Sequence, residues 1–542
     1  LGRAFSTSYL AGEPSAHAFY PAGFRDAAER SRRVHLAAER SVAPAVLRVL
    51  AEQQARLPQS PARQAHLETL AKGGAAVVVT GQQVGLFLGP LYSFYKAASA
   101  VAVARALAVE SGVPCVPLFW LQTEDHDFEE IRTCVVAGHD GEPVRLSLPD
   151  EETGQGRGSV AYRVLPAEVE GLLDRLAEVL GGRPATDETL TLLRAGYRPG
   201  NTLPAAFAAT LAALFADEGL LLFDPRDARV AESLAPIHRV CLEDATTIEA
   251  RLRQRTVDLA AAGFDAQVPI RGRGALSLFH RDAVTGPRFR LERLSEAGTG
   301  TWRLAGSGND VAHAELLTTL DRAPLRFSTS ALLRPIVEAA VLPGAAYVAG
   351  PGELNYFAQL PPLYAHFGLP PPLLVPRGRF LVVDARARRR LGLLGLRAAD
   401  LGEPDLLARL DPVRPAGAPA PSELRALVDR AILPAVDEIA GTATAAAPHL
   451  DRPAARTRAS VAHALEALIA RYARALSERD EVTRRRLRGL ERDLHPGRTP
   501  QERFYGWPHL AARHGPEGLK RLVADRLQTK GPFVTEVHEL EP

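Results

Sequence analysis

Five short apolar runs constrain this chain more than any other feature: "AAVVVT" (75–80), "CVPLFWL" (115–121), "GLLLFD" (219–224), "AAYVAG" (345–350) and "PLLVP" (372–376). Each is near-continuous in apolar residues. A strand covered by helices on both faces carries such a run, whereas a strand with one wet face alternates. Helical patterns lie between them, such as "YSFYKAASAVAVARALAVE" (92–110) and "PAAFAATLAALFADE" (204–218). Strand, helix and strand in series predict an open α/β fold built on a parallel sheet. The gaps between the second and third runs, and between the third and fourth, exceed a simple crossover. They predict insertions at about 140–215 and 235–330. The first insertion contains the Gly-rich acidic "LPDEETGQGRGSV"; the second alternates like β hairpins, from "AQVPIRGRGALSLFH" to "RFRLERLSEAGTGTWRL".

Beyond residue 380 the texture changes. A Pro/Ala linker, "DPVRPAGAPAPSE", leads into two long helical patterns. One carries Leu424, Leu427, Val428, Ile432, Val436 and Ile439, with Pro434 as an expected kink. The other carries Val461, Leu465, Leu468, Tyr472 and Leu476, then Leu487, Leu490 and Leu494. Apolar stripes flanked by charge predict an antiparallel hairpin or coiled coil, with a homodimer seam. The expected division is a core over 1–380 and a helical coiled-coil domain over 381–542.

Composition excludes several classes. A net charge of +2 creates no field that would draw the chain to nucleic acid or to a membrane. No apolar run spans a bilayer, and "LGRAFSTSYLAGEPSAH" at the N-terminus lacks a signal-peptide core. Cys115, Cys134 and Cys241 form no CxxC pair, which suits a reducing cytoplasm. Lysine occurs only at 72, 96, 520 and 530 while arginine abounds, so an arginine by itself says little about anion binding.

Ligands of open α/β sheets bind beyond the carboxyl ends of the strands. Beyond the first strand stands "TGQQVGLFLGP" (80–90), with Thr80, Gly81, Gln82, Gln83 and Gly85. Glycines there permit close backbone approach, the amides donate and accept, and Pro90 suits the start of a helix whose amides favour an anion. A glycine-rich turn packed for structure explains the same residues; neither a dinucleotide fingerprint nor a Walker A loop fits. Beyond the second strand stands Glu124-Asp125-His126-Asp127: a general base, a carboxylate-steered imidazole, or an acidic helix start capped by Asp. The same residues could also be ligands for a metal, but one histidine among carboxylates is not a zinc spacing, so no metal residue is named and the metal stays open. Beyond the fourth strand Gly350, Gly352, Glu353 and Tyr356 offer a tight approach and hydrogen bonds, or a plain strand-to-helix turn. Arg334 and Arg377 face either a ligand anion or a structural partner. The basic "RRRLRGLER" reads as a solvated face, with acids interleaved and aromatics absent.

Taken in series, "TGQQVGLFLGPLYSFYKA", "VPLFWLQTEDHDFEEI", "ALLRPIVEAAVLPGAAYVAGPGELNYFAQL", "LLVPR" and "HPGRTPQERFYG" resemble the cysteine-adding family of bacillithiol biosynthesis, BshC. Two positions depart from that pattern: Ser330 where the family tends to carry asparagine, and Glu338 where it tends to carry glutamine. The resemblance implies a Rossmann-like core with connecting-peptide insertions and a C-terminal coiled coil. It implies a ligase that joins cysteine to glucosaminyl-malate through an amide bond. Forming that bond from a free carboxylate needs activation, for which an ATP/ADP-type nucleotide giving a cysteinyl adenylate or phosphate is the expected source. The expected catalytic groups are Glu124, His126 and Asp127, with His126 or Glu124 freeing the amine. Gln501, Glu502 and Arg503 in "PQERFYG" are either a second ligand site or a structural clamp. Two rival readings stand beside this one: a nucleotidyltransferase on another small substrate, and a non-catalytic coiled-coil assembly protein with a ligand-sensing core.

Overall fold

The computed structural model describes residues 3–149, 158–270, 273–294, 300–403, 406, 418–477 and 481–542. Most of the Gly-rich stretch at 148–160 and of the 411–423 linker lies outside the described residues. The chain divides into two compact units: Leu1–Phe380 with Tyr505–Leu540, and Leu381–Phe504 with Glu541–Pro542.

The first unit holds all five expected strands. They are β1 (Ala76–Gln82), β2 (Cys115–Leu121), β5 (Leu221–Phe223), β11 (Gly344–Ala349) and β12 (Leu373–Pro376). Their order is β12–β11–β1–β2–β5, every neighbouring pair parallel. The residues of β2 are buried without exception, the burial that a sheet covered on both faces requires. The 21-residue helix Leu91–Ser111 packs on β1 and β2, Ala27–Ala38 on β1 and β11, and Pro44–Ala55 on β5. From β1 the chain proceeds outward to β2 and β5 on one side, and returns to β11 and β12 on the other. The order therefore reverses between β1 and β11, where open α/β sheets form their crevice.

The insertions add two smaller sheets. A hairpin joins β3 (Thr133–Ala137) to β4 (Pro143–Ser147). An antiparallel sheet runs β10–β6–β7–β8–β9, from Phe327–Thr329, Gly274–His280, Arg288–Arg293, Thr301–Leu304 and Asn309–Ala312. In β8 exposed Thr301 and Arg303 alternate with buried Trp302 and Leu304, the period of a half-buried strand. No described helix is long and apolar enough to cross a membrane.

Residues 505–540 correct the sequence-based division. They belong with the first unit, not with the helical domain. Tyr505, Trp507, Leu519, Val523 and Leu527 are buried, and the helix Pro516–Lys530 packs on Leu91–Ser111. Position along the chain suggested one domain; the apolar face of this helix is covered by the other.

In the second unit the helix Asp451–Ser477 runs antiparallel to Pro421–Ala446, as the ion pairs Arg425–Glu466 (3.0 Å) and Arg458–Asp437 (2.6 Å) show by their order. Pro434 lacks the N–H for the helical ladder, and the turn before it, Val428–Ile432, widens to a π-helix. Leu487, Leu490 and Leu494 of the helix Glu481–Leu494 pack with Ala387, Leu391 and Leu401 in a small core of their own.

Candidate active site

Two polar clusters stand at the carboxyl ends of the sheet strands, joined by the last residue of β1 and the one after it. Gln82 belongs to the first and Gln83 to the second.

The first cluster is buried at the β1/β11 reversal. Lys96, on the helix after β1, donates to the Gly81 carbonyl (2.6 Å) and Gln82 Oε1 (3.0 Å) and pairs with Glu353 (2.5 Å). These use all three protons of an ammonium. Glu353 also accepts from the Gly350 N–H (2.8 Å), covering a free donor at the start of the helix Pro351–Phe357, and from the Tyr347 hydroxyl (2.7 Å). Burial raises the Glu353 carboxyl, but Lys96, Arg334 and the Gly350 N–H together outweigh burial and hold it low, while burial lowers the Lys96 ammonium despite Glu353 beside it. Arg334 donates to the Tyr356 hydroxyl (2.8 Å) and lies 3.7 Å from Glu338. Burial pushes Glu338 up to about 8, so at neutral pH it is mostly a protonated acid. In that state it has both a donor and an acceptor, as a glutamine amide has. Thr80 spends its hydroxyl on the Val348 carbonyl (2.9 Å). Arg377 is buried and bonds the Gly378 carbonyl (2.9 Å).

The second cluster is half-open. Gln83 Nε2 donates to Asp125 Oδ2 (2.8 Å), while Oδ1 accepts from Arg288 Nη2 (2.6 Å) and the His126 N–H (2.7 Å). Burial raises the Asp125 carboxyl, yet Arg288, the His126 backbone N–H and the Gln83 amide together hold it well below the usual carboxylate range. Arg288 Nε points at His126 Nδ1 (3.1 Å). Glu124 Oε2 accepts from the N–H (3.2 Å) and hydroxyl of Thr329; Oε1 makes no hydrogen bond among the described residues.

Several expectations fail on this geometry. Asp127 is exposed and caps the helix Phe128–Ile131, accepting from the Glu130 N–H (3.2 Å). Gly81 and Gly85 are small for packing reasons: a Cβ on Gly81 would meet the Trp120 carbonyl at 2.9 Å, and one on Gly85 the Gly89 Cα at 2.7 Å. Gly352 needs no such explanation, since a Cβ there meets nothing within 4 Å. Four backbone N–H groups of the 85–91 stretch are already used inside the protein. Gly85 N–H bonds the Gln83 carbonyl, Leu88 the Tyr197 hydroxyl, Gly89 the Leu86 carbonyl and Leu91 the Tyr505 carbonyl. Pro90 is the residue before the helix and not its first turn. Gln501 lies in the second unit and uses its amide on Val382 (3.0 and 3.3 Å) and the Asp493 carbonyl (2.9 Å), the structural alternative; Glu502 is buried and Arg503 exposed.

Sequence reasoning missed Lys96 and Arg288. Lys96 had a signal, as one of four lysines set within an otherwise apolar helix. Arg288 had none: it comes from β7 of the inserted sheet, 162 residues beyond His126. A cavity of about 750 Å³ lies between the helices Pro44–Ala55 and Pro61–Lys72, away from every strand end named above. We place the site by its convergent charged groups instead, because that groove offers none of the strand-end chemistry. Among the described residues no three His, Cys, Asp or Glu side chains could hold a metal ion. Burial pushes all three thiols up to about 12, so none is a ready nucleophile.

Residues 2–378 match the family description "Bacillithiol biosynthesis BshC, N-terminal Rossmann-like domain", and residues 430–535 match "Bacillithiol biosynthesis BshC, C-terminal coiled-coil domain". The chain belongs to the BshC family. Its similarity to three BshC proteins covers most of both chains. A Salinibacter ruber protein named "Putative cysteine ligase BshC" is 32% identical, covering 93% of this chain and 90% of its own. Proteins of the same name from Solibacter usitatus and Koribacter versatilis are 32% and 31% identical, covering 84% and 95% of this chain and 83% and 94% of theirs. The BshC coiled-coil match extends through the helix Pro516–Lys530, which here packs with the sheet unit.

Proposed function

We propose that this BshC-family chain is the ligase that joins cysteine to glucosaminyl-malate in bacillithiol biosynthesis, with the half-open Glu124–Asp125–His126–Arg288 cluster as its reaction centre. The observation that carries this reading is the unshared Oε1 of Glu124, two residues along the β2 end from a half-exposed imidazole that Arg288 contacts. The names of the relatives support a ligase and neither rival reading.

An ATP-type nucleotide is the proposed source of activation, converting the cysteine carboxyl into a group that an amine can attack. Glu124 Oε1 takes the proton from the glucosamine ammonium, freeing the nitrogen lone pair. The nitrogen then bonds the activated carboxyl carbon, that carbon's bond to the leaving oxygen breaks, and the departing oxygen carries off the nitrogen's second proton. Lys96 and Glu353 hold the β1 and β11 strand ends in register beneath. The buried, protonated thiols of the chain take no part in this step between a carboxyl and an amine. They also fit a reducing cytoplasm.

Homodimerisation through the helical hairpin is part of the proposal. Leu427, Ile439 and Leu468 are 45%, 71% and 62% exposed on it, a cost that a second copy would remove.

The test is turnover with cysteine, glucosaminyl-malate and ATP. Formation of the cysteinyl amide is expected from the wild type, and it should fall by about a hundredfold or more in Glu124→Gln. Turnover of another substrate with none of this amide would favour the nucleotidyltransferase reading.

A further inference from the structure

We infer that Arg288 is a positioning residue that fixes the His126 ring with its proton on Nε2, so that His126 serves the reaction as a hydrogen-bond donor and not as a base. This rests on the reaction centre proposed above and reverses the general-base role expected of His126 from its place in the sequence.

A guanidinium only donates; it has no acceptor and keeps its protons at any working pH. Arg288 Nε stands 3.1 Å from His126 Nδ1, so Nδ1 is the acceptor of that bond. Asp125 Oδ1 lies 3.4 Å from the same nitrogen and could instead take a proton from it. But Oδ1 already accepts from Arg288 Nη2 at 2.6 Å and from the His126 N–H at 2.7 Å. The Arg288 side chain is 8% exposed, and its two bonds span the Asp125–His126 pair as a planar fork. A neutral imidazole has one N–H and one lone pair. With the lone pair engaged at Nδ1, the proton is on Nε2.

That nitrogen is the open one. The His126 side chain is 43% exposed, and Nε2 makes no hydrogen bond among the described residues. A ring in this state has no free lone pair with which to accept a proton from an amine. It can donate to oxygen. As the amine nitrogen bonds the acyl carbon, the carbonyl electron pair moves onto oxygen, and Nε2–H is the donor for that developing charge. When the leaving oxygen departs with its bonding pair, the carbonyl re-forms. The ammonium proton goes to Glu124, the nitrogen's second proton leaves with the departing oxygen, and none passes through His126. Loss of one such donor typically lowers kcat about 10²–10³-fold.

Nitrogen-15 NMR of histidine-labelled protein, with His126→Asn to assign the signal, reads the tautomer without turnover. At about pH 8, above the ordinary imidazole range, the wild type should show Nε2–H. Arg288→Ala should move the proton toward Nδ1, facing Asp125. Nδ1–H in the wild type, or an unchanged tautomer in Arg288→Ala, would overturn the inference. If Arg288→Ala does not fold, Arg288→Lys keeps a cation but not the fork, and an unchanged tautomer there counts equally against it. Turnover gives an independent arm. Asparagine keeps an N–H donor, so His126→Asn should retain about tenfold more kcat than His126→Ala; equal loss in both would favour the base. Should no cysteine ligase activity exist, the NMR result still decides the tautomer, so the two ideas fail separately.

Discussion

Gly85 and Gly89 touch backbone to backbone: a Cβ on Gly85 would stand 2.7 Å from the Cα of Gly89. The contact folds the 85–89 turn tightly enough to put Phe87 and Leu88 in the left-handed region, at φ 51° and 69°. Tyr197 holds the turn, accepting from the Leu88 N–H (2.9 Å) and donating to the Gly85 carbonyl (3.2 Å). Gly85→Ala should therefore cost about 1–3 kcal/mol by overpacking, while Gly352→Ala should stay within about 0.5 kcal/mol of wild type. Urea melts of both variants check this; equal stability would mean that the turn can relax.

Lys96→Met would leave Glu353 as a buried charge without its partner. A broken buried pair costs about 3–5 kcal/mol. The expected result is a large drop in denaturation midpoint, partly restored by Lys96→Met combined with Glu353→Gln. A double variant no better than the single would mean that the two side chains act separately.

Glu338 titrates in the folded state at about 8 against an ordinary 4.5, chiefly because it is buried. A raised folded value means that the native state binds the extra proton. The associated stability is whole below the ordinary value and is lost as pH rises through about 8. Glu338→Gln should remove that slope. Denaturation midpoints at about pH 5 and about pH 9 should diverge more in the wild type than in the variant.

Asp127 caps a helix and holds no place in the reaction centre. Asp127→Ala should cost about 1 kcal/mol or less and leave turnover within a few-fold of wild type. A loss comparable to that of Glu124→Gln would restore Asp127 to the catalytic group.

Ile439→Arg and Leu468→Arg place charges on the exposed apolar positions of the hairpin. Sedimentation should show a dimer for the wild type and a monomer for the double variant. Truncation near residue 380 is unsuitable for this test, because it would also remove the helix Pro516–Lys530 from the sheet unit. A wild-type monomer would end the dimer proposal.

Hydrophobic patterning is a local property, so the sequence by itself determined the five buried strands, the helices between them, the hairpin-rich insertion and the strand-end loops that carry Gln83, Glu124, Asp125 and His126. It likewise determined which residue types, amides and carboxylates and one imidazole, stand at those ends. Only the tertiary structure decided their neighbours. Strand order put β11 beside β1 and so brought Glu353 to Lys96. An antiparallel sheet far along the chain delivered Arg288 to Asp125 and His126. Packing turned Asp127 into a cap, the glycines into a contact, and residues 505–540 into part of the sheet unit. Periodicity records which face of an element is buried; it carries no record of which distant element covers that face, and hydrogen bonds between distant residues depend on that second fact.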